Sequence, residues 1–209
     1  MKGLLLKDFC ILKNYYKIPV CIVFILSAVL LSGGGSTESG IFGILIMMFM
    51  IMSITSFSLD EQAKWDSFIL STPVSRRNVV FGKYAVSIIL ILTGAIVSLV
   101  ACLALSAFGV FDNPEGQLTV ICFVTLLSFV FISVILPLLY KLGAEKGRLI
   151  IFVVCFIPLI ITTVMSRMSV SMPSEEDIMR FFGLLPFFVP ALLILSYLIS
   201  CGIYLKKEF

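Results

Sequence analysis

Asp60, Glu61, Lys64, Asp66, Arg76, Arg77 and Lys83 crowd into one stretch, Leu59–Tyr84, between two long apolar segments. The stretch reads LDEQAKWDSFILSTPVSRRNVVFGKY, and the chemistry of such residues is ion pairing, with acids on a protein surface or with lipid phosphates. At about 100° per residue, Trp65, Phe68 and Ile69 share one apolar stripe, with Lys64, Asp66 and Ser67 on the other side. Asp60 and Lys64 stand four apart in the favourable acid-before-base order. The helical pattern breaks at Thr72-Pro73, because a residue before proline is pushed out of the α region. The stretch therefore predicts a short amphipathic helix, a turn, and a basic re-entry into the next apolar segment. A solvated loop resting on lipid headgroups is the alternative.

The stripe is too narrow to anchor in lipid by itself. It fits a protein cleft better, as an aromatic anchor of Trp65, Phe68 and Ile69 with Glu61, Lys64 and Asp66 at its rim and Asp60 among the coupling residues. Arg76 and Arg77 follow just beyond the turn, where either could pair with acids of a partner or with lipid phosphates.

The elements that position this stretch are set by composition. Apolar residues make up 60% of the 209 residues, and the mean hydropathy is +1.18, far outside the range of soluble domains. The chain is expected to be an all-α polytopic membrane protein, a single transmembrane domain over residues 1–209. Six segments could cross a bilayer: Ile18–Ser32, Gly40–Ser58, Tyr84–Phe111, Gln117–Leu139, Leu149–Met165 and Phe181–Leu205. A span needs about 20 residues, so the first is short unless Tyr15, Tyr16 and Lys17 reach into the interface. Lys2, Lys7, Asp8 and Lys13 interrupt the first residues, so no cleavable signal peptide is expected.

Charge placement gives orientation. Of the 15 Lys and Arg, only Arg167 and Arg180 fall outside the N-terminus, the 59–83 loop, the 140–148 loop and the tail. The positive-inside rule then puts both termini in the cytoplasm, which requires an even number of spans. Residues 1–17 predict an interfacial helix, with Leu5, Phe9, Leu12 and Tyr16 on one face and Lys7, Lys13, Asn14 and Lys17 opposite.

Residues 166–190 form an external or re-entrant segment in which Ser174 and Asp177 resemble a capping box for a helix starting at Glu175. Pro186 and Pro190 would break that short helix from the last span; a single proline-kinked span is the alternative. Met47, Met48, Met50 and Met52 in the second span, with Phe181 and Phe182, could line an adaptable wall for a greasy substrate. Ordinary packing is the plainer reading of the same residues.

Several mechanisms are excluded. The chain has no histidine, so Ser-His-Asp chemistry and His-ligated metal sites are ruled out in it. The six cysteines show no CxxC spacing and read as small buried hydrophobes. No Asp, Glu, Lys or Arg falls within the six spans, against a self-contained ion-driven carrier. No Gly-x-x-x-x-Gly-Lys-Ser/Thr run is present, so work must draw on ATP bound elsewhere. No partnership with nucleic acid is expected.

The order of basic amphipathic N-terminus, two spans, Asp60-Glu61, Trp65-Asp66, Leu70-Ser71-Thr72-Pro73-Val74-Ser75-Arg76-Arg77, Lys83-Tyr84 and four more spans resembles the six-span permeases of the ABC-2 exporter class. The resemblance covers the whole chain and is sharpest at residues 60–84. It implies a coupling helix after span two that docks on a separate ATP-binding cassette subunit carrying ATP and Mg. It implies a working unit of two permeases, identical or different, and two ATPases in a bacterial cytoplasmic membrane. Some members of the class look like exporters of amphipathic peptides, including peptide toxins and antimicrobials. A non-transporting structural or sensory subunit and an integral membrane lipid-modifying enzyme are the competing classes. The enzyme would need polar groups clustered at one depth, and the spans offer scattered Ser and Thr.

Overall fold

In a computed structural model the protein is described over residues 2–13, 21, 39–70, 75–107, 114–167 and 175–206, with the backbone alone described over 144–167 and 175–182. All six elements among the described residues are helical: α1 (Lys2–Leu12), α2 (Ser39–Gln62), α3 (Trp65–Leu70), α4 (Arg76–Ala107), α5 (Pro114–Arg167) and α6 (Glu175–Lys206). Four helices are long and apolar enough to cross a membrane: Phe42–Gln62, Arg76–Ala107, Gly116–Gly143 and Gly183–Lys206. They match the second, third, fourth and sixth predicted segments. The first predicted span lies outside the described residues apart from Cys21, and the fifth is seen as helical backbone at the end of α5.

The central pair is α2 and α4. They can approach closely because Gly94 has no side chain: a Cβ there would stand 2.9 Å from Cβ of Phe49. Phe49 is buried beside Leu45, Met52, Val86, Leu90 and Leu12, so the α1 stripe inserts into the same cluster. The second half of α5 begins at a single non-helical residue, Gly143, with φ 81° and ψ 167°. In place of the nine-residue loop expected at 140–148 the chain stays helical, interrupted only by the sharp break at Gly143. The left-handed φ suits a residue without a Cβ.

Two other boundaries differ from expectation. The third span starts at Arg76, so the basic re-entry is the first turn of α4, with Ser75 Oγ accepting the Asn78 N–H at 3.4 Å as its cap. The last helix runs unbroken from Glu175 through Pro186 and Pro190 to Lys206. The separate external helix is thus replaced by the single-helix alternative. Inside a bilayer the only other backbone partners are lipid tails, so a helix persists past prolines that would end it in water.

Buried hydroxyls tie the bundle crosswise. Tyr84 on α4 bonds Ser196 at 2.6 Å and Ser200 at 2.8 Å on α6. Ser196 in turn donates to the Ser133 carbonyl of α5 at 2.5 Å. Ser53 of α2 bonds Ser87 of α4. Each such bond in a membrane interior contributes about 0.6 kcal/mol on average.

Candidate coupling site at the charged end of the bundle

Residues 60–69 are two pieces, not one helix. α2 carries on to Gln62; the Ala63 N–H closes on the Leu59 carbonyl at 3.0 Å and Lys64 adopts φ 48°. That left-handed residue is a helix C-cap, a place more often held by glycine. It redirects the chain, and α3 begins at Trp65.

The apolar stripe is thereby divided. Ile69 is 3% exposed and belongs to the main core with Val79, Val80, Leu136 and Tyr204. Trp65 is half-buried against that core. Phe68 is 59% exposed, with its ring centroid 5.1 Å from that of Trp65. The surface offered at α3 is therefore Phe68 and the outer part of Trp65. The side chain of Asp66 lies outside the described residues.

Behind α3 lies a buried ring of four charges. Asp60 Oδ1 takes the Lys7 ammonium at 2.6 Å, and its Oδ2 takes Lys83 at 2.6 Å. Asp8 Oδ1 takes the same two ammonium groups, Lys7 at 3.1 Å and Lys83 at 3.0 Å. Lys83 also donates to Ser56 Oγ at 3.0 Å, and Ser56 donates to Asp8 at 3.4 Å. Two acids and two lysines leave no net charge, and each acid is held by both bases. Removing one partner of a buried ion pair costs roughly 3–5 kcal/mol, because the other charge is left uncompensated. Lys7 is also 4.2 Å from the centre of the Trp65 ring, so one ammonium joins the ring of charges to α3.

The remaining charged residues fasten the same end. An added Cβ at Gly143 would stand 2.6 Å from Oε1 of Glu61, which places that carboxylate at the start of the second half of α5. A helix N-terminus favours negative charge. Arg76 donates to the Leu205 carbonyl at 3.0 Å and the Tyr204 carbonyl at 3.5 Å, satisfying acceptors that the last turn of α6 leaves open. Arg77 is exposed. A cleft lined by Phe57, Asp60, Glu61, Trp65, Val79, Lys83 and Tyr140 opens between these groups.

The named residues of 60–77 thus gather at one end of the bundle, but in three roles: Asp60, Glu61 and Arg76 bind within the chain, Ile69 is core, and Phe68, Trp65 and Arg77 reach the surface. The methionines are elsewhere. Met50 and Met52 are buried in the chain's own clusters and Met47 and Met48 are half-buried on α2. The side chains of Phe181 and Phe182 lie outside the described residues. Of the cysteines, Cys102 and Cys201 are buried as expected, whereas Cys10, Cys21 and Cys122 are exposed.

Sequence reasoning missed Lys7, Asp8, Ser56 and Lys83. The one available signal was an acid, Asp8, set inside an otherwise basic amphipathic helix, together with the Ser56–Asp60 and Lys83–Ser87 spacings of one helical turn. Among the described residues no cluster of His, Cys, Asp or Glu could hold a metal ion.

No curated protein matches the chain. A family model described as ABC-2 family transporter protein matches residues 3–205.

Proposed function

The chain belongs to the ABC-2 transporter family, and from that premise we propose that it is the permease half of an exporter driven by a separate ATP-binding cassette ATPase. Membership makes it a membrane permease subunit rather than an enzyme. The observation that carries the finer reading is α3: a six-residue helix at the charged end of the bundle with Phe68 outermost. An exposed aromatic beside a half-buried tryptophan, backed by a rigid polar base, is the form of an anchor for a protein cleft. ATP and Mg would be held by the ATPase, and hydrolysis there would displace α3.

Six crossings suit the described helices. Lys7 meets Asp60 at the charged end, while the 24 residues of α2 put its start about 36 Å away at 1.5 Å per residue. At the other terminus, Arg76 holds the end of α6 to the charged end, and α6 is 32 residues long. The second half of α5 must then lead away from the charged end to reach Glu175. With α2, α4, the first half of α5 and a first span over Ile18–Ser32 taken from the sequence, the proposed crossings number six, and both termini share the cytoplasmic side that the basic residues favour.

The exposed faces of α4 and α6, with Ile96, Val100 and Leu103 on one and Phe187, Leu195 and Leu198 on the other, are apolar. They suit lipid, a second permease copy and a cavity for amphipathic or hydrophobic cargo such as peptides, in a bacterial cell membrane.

A photoreactive residue in place of Phe68 tests this in living cells. It should cross-link to a cassette ATPase and lose that product when Trp65 is replaced by Ala. Cross-linking to lipid alone would overturn the docking role.

A further inference from the structure

The four buried charges do more than hold the fold together. We propose that Lys7, Asp8, Asp60 and Lys83 act as one electrostatic joint through which a displacement of α3 is passed to α1 and α4 together, making α1 a driven part of the transport cycle. The proposal rests on α3 being the element the ATPase moves, and it assigns a working role to Lys7, Asp8 and Lys83.

The geometry is a closed loop. Lys7 touches Asp8 and Asp60, and Lys83 touches the same two acids, at 2.6 to 3.1 Å. Three helices contribute: α1 gives Lys7 and Asp8, α2 gives Asp60, and α4 gives Lys83. The four side chains are between 4% and 19% exposed, so water offers little replacement for a partner that moves off. In a poorly screened site, opening one contact leaves a charge uncompensated, whereas moving the whole ring together keeps all four contacts. The motion favoured is therefore a joint shift of α1 with the ends of α2 and α4.

The input lies in Lys7. Its ammonium sits over Trp65 at 4.2 Å while bonding Asp60 at 2.6 Å, so the first residue of α3 bears directly on the ring. Further along α1, Leu12 is fully buried in the cluster that holds Phe49, Val86 and Leu90. Polar contact at the middle of α1 and apolar contact at its last residue prevent it from pivoting freely.

Trp65 is the single tryptophan of the chain, which gives the test its probe. Asp8 touches neither α3 nor Trp65 in any contact above. In the full chain in nanodiscs, Asp8→Asn should nevertheless red-shift Trp65 emission and raise its quenching by acrylamide, as Asp60→Asn should. Asp8→Glu should restore both. An Asp8→Asn protein with wild-type emission and quenching would overturn the joint. If that variant does not fold, the charge-balanced pair Asp8→Asn with Lys83→Gln serves in its place. With the cassette ATPase bound, an environment-sensitive dye on Lys13→Cys, directly after α1 and in a background without other accessible cysteines, should respond to ATP and Mg when the ring is otherwise wild type. It should fall silent in the Asp8→Asn background while ATP hydrolysis continues. A dye equally responsive in both backgrounds would also overturn the joint. Failure of any cassette ATPase to bind would count against the proposed function and leave the fluorescence result standing.

Discussion

Phe68 and Ile69 are neighbours in the chain that should respond to substitution in opposite ways. Phe68 is 59% exposed, so Phe68→Ala should leave the melting temperature unchanged and weaken ATPase binding by about 2 kcal/mol, as truncating an interface anchor does. Ile69 is 3% exposed, so Ile69→Ala should cost about 2–4 kcal/mol of stability through the cavity it leaves. Binding isotherms and thermal unfolding of the two variants separate the effects; matching profiles would show that the stripe acts as one surface. Asp66→Ala should fall below about 1 kcal/mol in binding, since the sequence sets it among the rim charges of the stripe and such charges contribute little. The stripe itself was legible, because turning residues through a helix needs only local sequence. Its division was not, because the left-handed Lys64 that redirects α3 has no glycine or asparagine to announce it. The ring of charges was harder still: its contacts join residues 53 and 75 positions apart, and no periodicity reaches that far.

The helices themselves follow from local rules where lipid and packing do not override them. Hydropathy located α2, α4, the first half of α5 and α6, while their ends moved outward to take in Asp60, Arg76 and Lys83. Those residues count as polar in sequence but are satisfied inside the chain, so a hydropathy boundary stops short of them. Two elements have single-residue fastenings that can be tested. Arg76→Gln removes the cation from the last carbonyls of α6, an interaction worth roughly 0.3–1 kcal/mol. Hydrogen exchange should quicken in the last turn of α6 and stay constant in the middle of α2; exchange unchanged at Leu205 and Lys206 would argue against the cap. Gly143→Ala forces a Cβ into a left-handed conformation, costing about 1–2 kcal/mol, and against the Glu61 carboxylate as well. Gly143→Ala should therefore destabilise more than Gly116→Ala, whose added Cβ meets nothing within 4 Å. Equal melting temperatures for the two would remove the argument for a constrained corner.

At the scale of the molecule, the charged groups define an end. α1, the close of α2, the start of α4, the corner at Gly143 and the close of α6 are joined there by Lys7–Asp60, Asp8–Lys83, Glu61–Gly143 and Arg76–Leu205. If this end is cytoplasmic, an impermeant thiol reagent applied to intact cells should label Glu38→Cys and spare Gln62→Cys, both in a background without other accessible cysteines. Labelling of Gln62→Cys alone would invert the topology. That the charged groups share one end was readable from the distribution of lysine and arginine, since charge bias survives without any knowledge of contacts. Which residues on that end face a partner could not be read, because acids that pair within the chain look the same in sequence as acids that pair outside it.

The same contacts impose an order on how the molecule comes into being. Lys7 and Asp8 leave the ribosome well before their partner Lys83, which follows 75 residues after Asp8. At a synthesis rate of about 5–20 residues per second, that is a wait of roughly 4–15 s. Until then α1 lacks the full set of partners on α2 and α4, since Asp60 comes 53 residues after Lys7 and Lys83 later still, so α1 is formed before the elements it pairs with and seated after them. A nascent chain arrested before residue 83 should leave α1 open to protease, and one arrested after α4 has emerged should protect it. In this protein α1 closes the assembly rather than beginning it.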